Sequence, residues 1–145
     1  MACAPCAAPA MVLDTNATLD WLLFGNPGMN AIKASIQSGQ VRWISCSRMR
    51  VELACMLFHP RLAAWGGDRT QALAVFDRWT QACPEPCDSR PSGPRCSDPN
   101  DQVFVDLALV YGARWLVTHD RALLKLARAL RHRVAVVRPG DWHEP

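Results

Sequence analysis

The sequence predicts an α/β fold: a three-layer α/β/α sandwich with a mainly parallel sheet of four or five strands. Apolar segments of strand length alternate with segments of helical periodicity along the chain. Two apolar runs, one ending at Asp14 and one just before Asp120, stop abruptly at polar residues, as buried parallel strands do at the rim of a sheet. With 145 residues, half of them hydrophobic, the chain can bury the core of one domain.

The elements of the first half are bounded by residues that start or end helices. Apolar runs predict strands at 11–14 and 41–45, after a flexible leader over residues 1–10. Residues 16–24 suit a loop that leads into a short helix, and Met29, Ile32 and Ile36 recur at helical spacing in the next helix. Further helices are predicted over residues 48–58 and about 70–82. The Asn-Pro-Gly sequence at 26–28 breaks the chain after the first helix, and Gly39 and Pro60 each end a helix. Ser47 and Asp68 are predicted to cap the helices that follow them.

The second half begins with an irregular segment, because residues 84–99 contain five prolines. The elements that follow are a helix over 101–111 closed by Gly112, a strand over 115–118, a helix over 121–130 and a strand over 134–137. This uninterrupted alternation predicts one domain over residues 11–145.

Charge and cysteine content bear on the possible partners of the protein and on its cellular compartment. A net charge of +3 is compatible with a nucleic-acid partner, and the basic residues of the last third are either a phosphate-facing surface or an ordinary solvated helix face. No apolar stretch approaches the ~20 residues of a membrane span, and no secretory signal is visible, so we expect a cytoplasmic protein with reduced thiols. Cys83, Cys87 and Cys96 share one loop, but a fourth zinc ligand at suitable spacing is absent.

Asp14 and Asp120 each follow an apolar strand segment. Since α/β proteins bind ligands outside the carboxyl ends of their strands, both carboxylates are candidates for one metal site. Each aspartate also has a simpler interpretation, as the N-cap of the helix that follows it. Thr15 and Asn16 are small polar neighbours that can orient Asp14.

Three further aspartates lie at or near the start of the helix over 101–111. Asp98 precedes a proline, an arrangement typical of an N-cap. Asp101 lies where a helix N-terminus meets the sheet edge, so it either enters the same site or interacts with the helix dipole. Asp106 lies within an apolar stretch and is either partly exposed or faces the same pocket.

The chemistry of these acids favours a hard cation. Mg²⁺ and Mn²⁺ prefer carboxylate and water oxygens, which this cluster offers without a fixed set of Cys or His ligands. The residues therefore predict a metal-dependent enzyme, and their arrangement favours a nuclease. Glu52, inside a helix, is by default a solvated glutamate, and His119 is adjacent to Asp120 although neighbouring strand-end residues point apart.

Four motifs together resemble a known family. They are VLDTN at 12–16, VEL at 51–53, DPND at 98–101 and LVTHDRALL at 116–124. In this order and spacing they resemble PIN domains, and within that family the VapC-like toxin branch of bacterial toxin–antitoxin systems. The resemblance extends over residues 11–141, with Asn100 standing where an acid is common and His119 where a small residue is common.

The resemblance implies a ribonuclease that uses Mg²⁺ or Mn²⁺ and attacks an RNA phosphodiester with water. It implies catalytic roles for Asp14, Glu52, Asp101 and Asp120. The implied metal ligands are Asp14, Asp101 and Asp120. The implied auxiliary residues are Asn16, Asp98, Asp106 and Thr118. The implied protein partners are a cognate antitoxin and a second copy of the chain in a homodimer.

Two other functions are compatible with the residues. A strand-end aspartate beside a metal also suits an aspartyl-phosphate intermediate in a phosphotransfer enzyme or receiver. Asn16 stands where a phosphatase of that type needs a second aspartate, and no lysine ends a late strand as in a receiver. A non-catalytic module that binds RNA or an antitoxin would keep the same fold, but it would not need the full set of acids.

Overall fold

The structure is a computed structural model that describes residues 8–86 and 93–144. The leader predicted over residues 1–10 falls mostly outside these residues, as does Cys87. The strands are β1 (Ala10–Leu13), β2 (Arg42–Ser45), β3 (Thr80–Ala82), β4 (Trp115–Val117) and β5 (Ala135–Val137). The helices are α1 (Thr15–Leu22), α2 (Asn30–Gln37), α3 (Ser47–Leu57), α4 (Arg69–Trp79), α5 (Gln102–Val110), α6 (Arg121–Leu124) and α7 (Ala127–Leu130).

The five strands form one sheet in the order β3-β2-β1-β4-β5, and every neighbouring pair is parallel. Helices cover both faces of this sheet. The predicted three-layer α/β/α fold is confirmed. In the parts of the chain that the structure describes, no helix has both the length and the apolar composition to cross a membrane.

Alternating side chains of the central strand serve two separate cores. Met11 and Leu13 point to the core built with α1, α2, α3 and α4, whereas Ala10 and Val12 point to the core built with α5, α6 and α7. All four residues are buried, because helices cover the strand on both sides. This explains why β1 is a continuous apolar run rather than an alternating one.

The hydrogen-bond ladder continues one residue past the strand ends and positions the polar edge of the sheet. The backbone N–H of Asp14 donates to the carbonyl of Val117 over 3.1 Å, and that of Thr118 donates to Val137 over 2.9 Å. Asp14, Thr118 and Arg138 therefore occupy neighbouring positions beyond β1, β4 and β5. Side chains at matched positions of parallel strands point to the same face, here the face of α5–α7.

Several predicted boundaries are wrong. The helix predicted over 70–82 ends at Trp79, and Thr80–Ala82 form β3, because these residues pair with Trp43–Ser45 of β2. Ser47 does not cap α3: the N-cap residue is Cys46, without a side-chain cap, and the Ser47 hydroxyl donates to Glu85 over 2.7 Å.

The C-terminal helices also differ in detail from the expectation. The segment predicted as one helix over 121–130 consists of α6 and α7, separated by a turn at 125–126. A 3₁₀ turn, Pro99–Asp101, precedes α5. Gly39 and Gly112, predicted as helix stops, both have positive φ angles, of 82° and 62°, a conformation that L side chains rarely adopt.

Candidate active site

Asp14 lies at the carboxyl end of the central strand, and its side chain is held on both oxygens. Its Oδ1 accepts the backbone N–H of Ala17 over 2.8 Å, and its Oδ2 accepts the Thr118 hydroxyl. Asp14 is thus the N-cap of α1 as well as a strand-end acid, so the two interpretations of this residue are compatible. Burial, which leaves Asp14 3% exposed, raises its pKa to about 6, although the bonds from Thr118 and Ala17 oppose the shift.

Thr118 connects two of the acids. Its hydroxyl donates to Asp14 and accepts the backbone N–H of Asp120 over 2.8 Å. Thr118 is fully buried; its bond to Asp14 is buried as well, and its bond to Asp120 is partly buried. Asp120 in turn accepts the backbone N–H of Ala122 over 2.8 Å and caps α6. One hydroxyl therefore couples the positions of the acids that end β1 and follow β4.

Asp120 also belongs to a compact group of three carboxylates. One oxygen each of Asp98, Asp101 and Asp120 lies within 4.8 Å of the others. Asp98 keeps its predicted role as a cap, because its Oδ1 accepts the N–H of Asn100 over 3.0 Å. The 3₁₀ turn before α5 thereby brings two acids to the edge where β4 delivers the third.

The Oδ2 atom of Asp101 is buried and has no hydrogen-bond partner in the described residues. Burial, followed by the adjacent carboxylate of Asp120, raises the pKa of Asp101 to about 7, and the charges of Asp98 and Asp14 add to the shift. A buried carboxylate oxygen without a donor requires either a proton or a cation. The Oδ2 atom of Asp101 therefore lacks the positive partner that a buried carboxylate oxygen needs.

Glu52 approaches the site from α3 through a side-chain bond. The hydroxyl of Thr15 donates to a carboxylate oxygen of Glu52, and Thr15 directly follows Asp14. Glu52 is half-buried and lies outside the group of three aspartates. Asn16, predicted as an auxiliary residue, is exposed in the first turn of α1, and no side-chain hydrogen bond is found for it in the described residues.

Asp106, also predicted as auxiliary, lies one turn further along α5 and contributes to a separate cavity. Its Oδ1 accepts the amide of Gln102 over 3.0 Å. Both residues line a cavity of about 260 Å³ together with Arg48, Arg95 and Cys96. Asp106 is therefore adjacent to the acid cluster in sequence but is not one of its three members.

One pair of residues was not anticipated from the sequence. Nε2 of His119 lies 2.5 Å from Oδ2 of Asp20, which also accepts the side-chain amide of Asn26 over 3.2 Å. His119 points toward α1 while Asp120 points into the cluster, as expected for consecutive residues after a strand. Asp20 and His119 are 99 residues apart, and neither motif nor spacing signals their contact.

The sequence of the chain was compared with models of known protein families and with curated proteins. The family model of the PIN domain matches residues 10–122, about three quarters of the chain. The chain belongs to the PIN domain family. No match was found among the curated proteins with which the sequence was compared.

PIN domains are generally nucleases that act with divalent metal ions, and this PIN domain has residues that fit such an ion. Three carboxylates meet within 4.8 Å, and Asp101, the residue with the unpartnered Oδ2, is one of the three. Hard divalent cations take oxygen ligands of this kind. The set contains no cysteine or histidine, which makes Mg²⁺ or Mn²⁺ a better fit than Zn²⁺.

The raised pKa of Asp101 predicts how metal-free stability depends on pH. Because the folded-state pKa, about 7, exceeds the ordinary value of 3.8, this carboxyl contributes stability below pH 4 that is lost as the pH rises toward 7. At pH 8 without metal, we expect Asp101→Asn to unfold about 2–4 °C above the wild type, the shift that 1 kcal/mol produces. At pH 4 the difference in melting temperature should vanish. A variant that is less stable at pH 8 would instead assign Asp101 a purely structural role.

Proposed function

We propose that this PIN domain is a metal-dependent endoribonuclease. The single observation that carries the proposal is the buried, unpartnered Oδ2 of Asp101 within a group of three aspartates at the carboxyl edge of the sheet. Placing three like charges this close together costs stability unless a cation compensates them. A site built in this way is suited to divalent metal and a phosphodiester substrate.

The proposed metal ligands are Asp14, Asp101 and Asp120, with Asp98 as an auxiliary acid. Both oxygens of Asp14 already accept hydrogen bonds, and each retains a further lone pair for a cation. When bound, Mg²⁺ or Mn²⁺ would lower the pKa of a water molecule and stabilise negative charge on the leaving oxygen. Thr118 would hold Asp14 and Asp120 in a fixed relative position.

The fourth proposed catalytic acid is Glu52. The Thr15 hydroxyl fixes its carboxylate beside the end of β1, where it adds negative charge and a proton-accepting oxygen to the site. Its position on α3 means that helix packing controls its distance from the aspartates. Leu53 and Leu57 of the same helix are buried against the sheet, which anchors the helix.

The finer biological assignment is that this ribonuclease is the toxin of a toxin–antitoxin pair in the cytoplasm, with an antitoxin and a second copy of the chain as partners. The PIN motifs support this proposal, and so does exposed apolar surface. Val51 and Phe58 on α3 are 62% and 60% exposed, and Trp65 is 51% exposed. Val51 and Phe58 are seven residues apart and so lie on one face of α3, and exposed apolar side chains mark a protein-binding surface where they form a contiguous patch.

A phosphotransfer mechanism through an aspartyl phosphate is disfavoured by the surroundings of Asp14. Asn16, two residues after Asp14, stands where a phosphatase of this type needs a second aspartate. A non-catalytic binding module has no need of a metal, so the unpartnered carboxylate oxygen of Asp101 would only destabilise its fold.

The proposed function is tested by incubating the wild-type protein with a mixed-sequence single-stranded RNA. We expect cleavage with Mg²⁺ or Mn²⁺ and none with a chelator. Restoring the metal after chelation should restore cleavage, which excludes irreversible unfolding as the cause of the loss. Cleavage that persists in the chelator would point to a contaminating metal-independent ribonuclease, and no cleavage with either metal would contradict the proposed function.

A further inference from the structure

Positive charge is segregated in this chain. Residues 114–138 hold seven basic residues and one acid, Asp120, whereas the rest of the sequence holds nine basic and twelve acidic residues. The seven are Arg114, Arg121, Lys125, Arg128, Arg131, Arg133 and Arg138, and all are exposed. Residues 114–138 therefore carry six more positive than negative charges, although the net charge of the whole chain is only +3.

In the described residues none of these basic side chains pairs with an acid, although Arg114 lies over the ring of Trp115 and Arg131 donates to the carbonyl of Arg128 over 3.1 Å. The salt bridges found in residues 8–86 and 93–144 are Arg50–Asp77 and His119–Asp20, and neither involves one of the seven. The exposed face of α6 and α7 lies opposite Leu123 and Leu130, which are buried in the core. This surface is thus a set of solvated cations without internal counterions.

Three of these cations form a row that starts at the acid cluster. Arg121 directly follows Asp120, and Lys125 and Arg128 come four and seven residues after it. Arg121 is the first residue of α6, Lys125 lies in the turn that follows α6, and Arg128 lies in α7, so three exposed cations follow one another along this two-helix segment. Arg138, at the ladder position beside Thr118, lies at the same edge of the sheet.

We propose that Arg121, Lys125 and Arg128 bind successive phosphates of the RNA strand as it leaves the acid cluster. This inference rests on the proposed ribonuclease function and adds the path of the substrate. The segment contains no exposed tryptophan, tyrosine or phenylalanine, because its one residue of these types, Trp115, is buried. The row therefore contacts the phosphate backbone and does not stack on bases, so its contribution is independent of RNA sequence.

An acidic protein partner would be a poorer fit to the same surface. Protein interfaces are dominated by buried aromatic and large apolar anchors. The large hydrophobic side chains exposed in the described residues are Val51, Phe58, Trp65 and Val110, all outside residues 114–138. A cationic row without apolar anchors matches a polyanion better than a folded protein surface.

The test compares the only two lysines of the chain. Lys125 belongs to the row, whereas Lys33 is exposed on α2, which packs on the opposite face of the sheet. Binding of a labelled single-stranded RNA is measured by fluorescence anisotropy in chelator, so that cleavage does not interfere, between about 50 and about 200 mM salt. The variants are Lys125→Gln and Lys33→Gln.

We expect Lys125→Gln to weaken RNA binding about fivefold near 0.1 M salt and to reduce the slope of log affinity against log salt by about 0.7, the value for one lost phosphate contact on a single strand. The weakening should be equal for a homopolymer and a mixed sequence. Lys33→Gln should match the wild type in affinity and slope. Arg121→Gln and Arg128→Gln should behave like Lys125→Gln.

Equal slopes for the two lysine variants, or no RNA binding by the wild type, would overturn the proposed row. The outcome is separable from that of the cleavage assay. Metal-dependent cleavage with equal slopes would leave the nuclease function intact and reject the row. A reduced slope for Lys125→Gln in a protein that never cleaves RNA would keep the row and reject the nuclease function.

Discussion

Asp14→Asn should reduce metal-dependent RNA cleavage by about a thousandfold or more, since a metal site contributes several kcal/mol of charge stabilisation to the transition state. The amide oxygen of asparagine can still accept the N–H of Ala17, so the cap of α1 is retained. What is lost is the negative charge that a cation needs at the end of β1. We therefore expect loss of activity without loss of the fold.

The matched control for this variant is Asp141→Asn. Asp141 is exposed in the 3₁₀ turn Pro139–Asp141, and its replacement makes the same change in charge. Initial cleavage rates are measured at saturating Mg²⁺, with thermal unfolding of each protein recorded alongside. Asp141→Asn should cleave at the wild-type rate. Wild-type cleavage by Asp14→Asn would reject Asp14 as a metal ligand, and a large fall in its metal-free melting temperature would favour a purely structural role as a helix cap.

Thr118→Val should reduce cleavage by about 10- to 100-fold, the usual cost of removing a group that orients metal ligands. It should also lower the free energy of unfolding by about 1 kcal/mol, because the partly buried N–H of Asp120 loses its acceptor. Valine has nearly the shape of threonine, so packing in this buried position is preserved. Any change in cleavage or in the free energy of unfolding is therefore due to loss of the hydroxyl group.

A pH profile separates this positioning role from simple destabilisation. The Thr118 hydroxyl lowers the pKa of Asp14, which burial raises to about 6, so its removal should raise that pKa further. Protons then compete with metal at higher pH, and the acid limb of the cleavage profile should move upward. Thr118→Ser keeps the hydroxyl and should recover most of the rate and the original profile. If serine and valine behave alike, the hydroxyl does not position the acids.

Local sequence patterns were sufficient for the layers of the fold and for the edge at which acids gather. The run before Asp14 is apolar because β1 is covered on both faces, and this burial is visible in the sequence as a continuous hydrophobic segment. Asp98 before a proline and Gly112 after a helix are also local signals, and their conformations agree with the prediction. The PIN motifs were recognised from the same local segments and are confirmed by the family match.

Local patterns misled where long-range pairing decides the conformation. Residues 80–82 continue a helical pattern, yet they form β3 because they pair in parallel with the backbone of β2. Such a short strand carries too little periodicity to be distinguished from a helix end. The boundary was settled by hydrogen bonds to residues nearly forty positions away.

Apart from β3 and the break between α6 and α7, the sequence by itself determined the order of strands and helices. It also determined the two strand-end aspartates and the excess of positive charge after residue 113, since each depends on residues close together in the chain. Only the tertiary structure decided that Thr15 holds Glu52, that Asp20 contacts His119, and that Asp98 and Asp101 meet Asp120. The physical reason is that hydrophobic periodicity specifies which face of an element is buried, whereas contacts between side chains depend on how distant elements pack. The unpartnered oxygen of Asp101 is a product of that packing, and it is the feature that points to a metal.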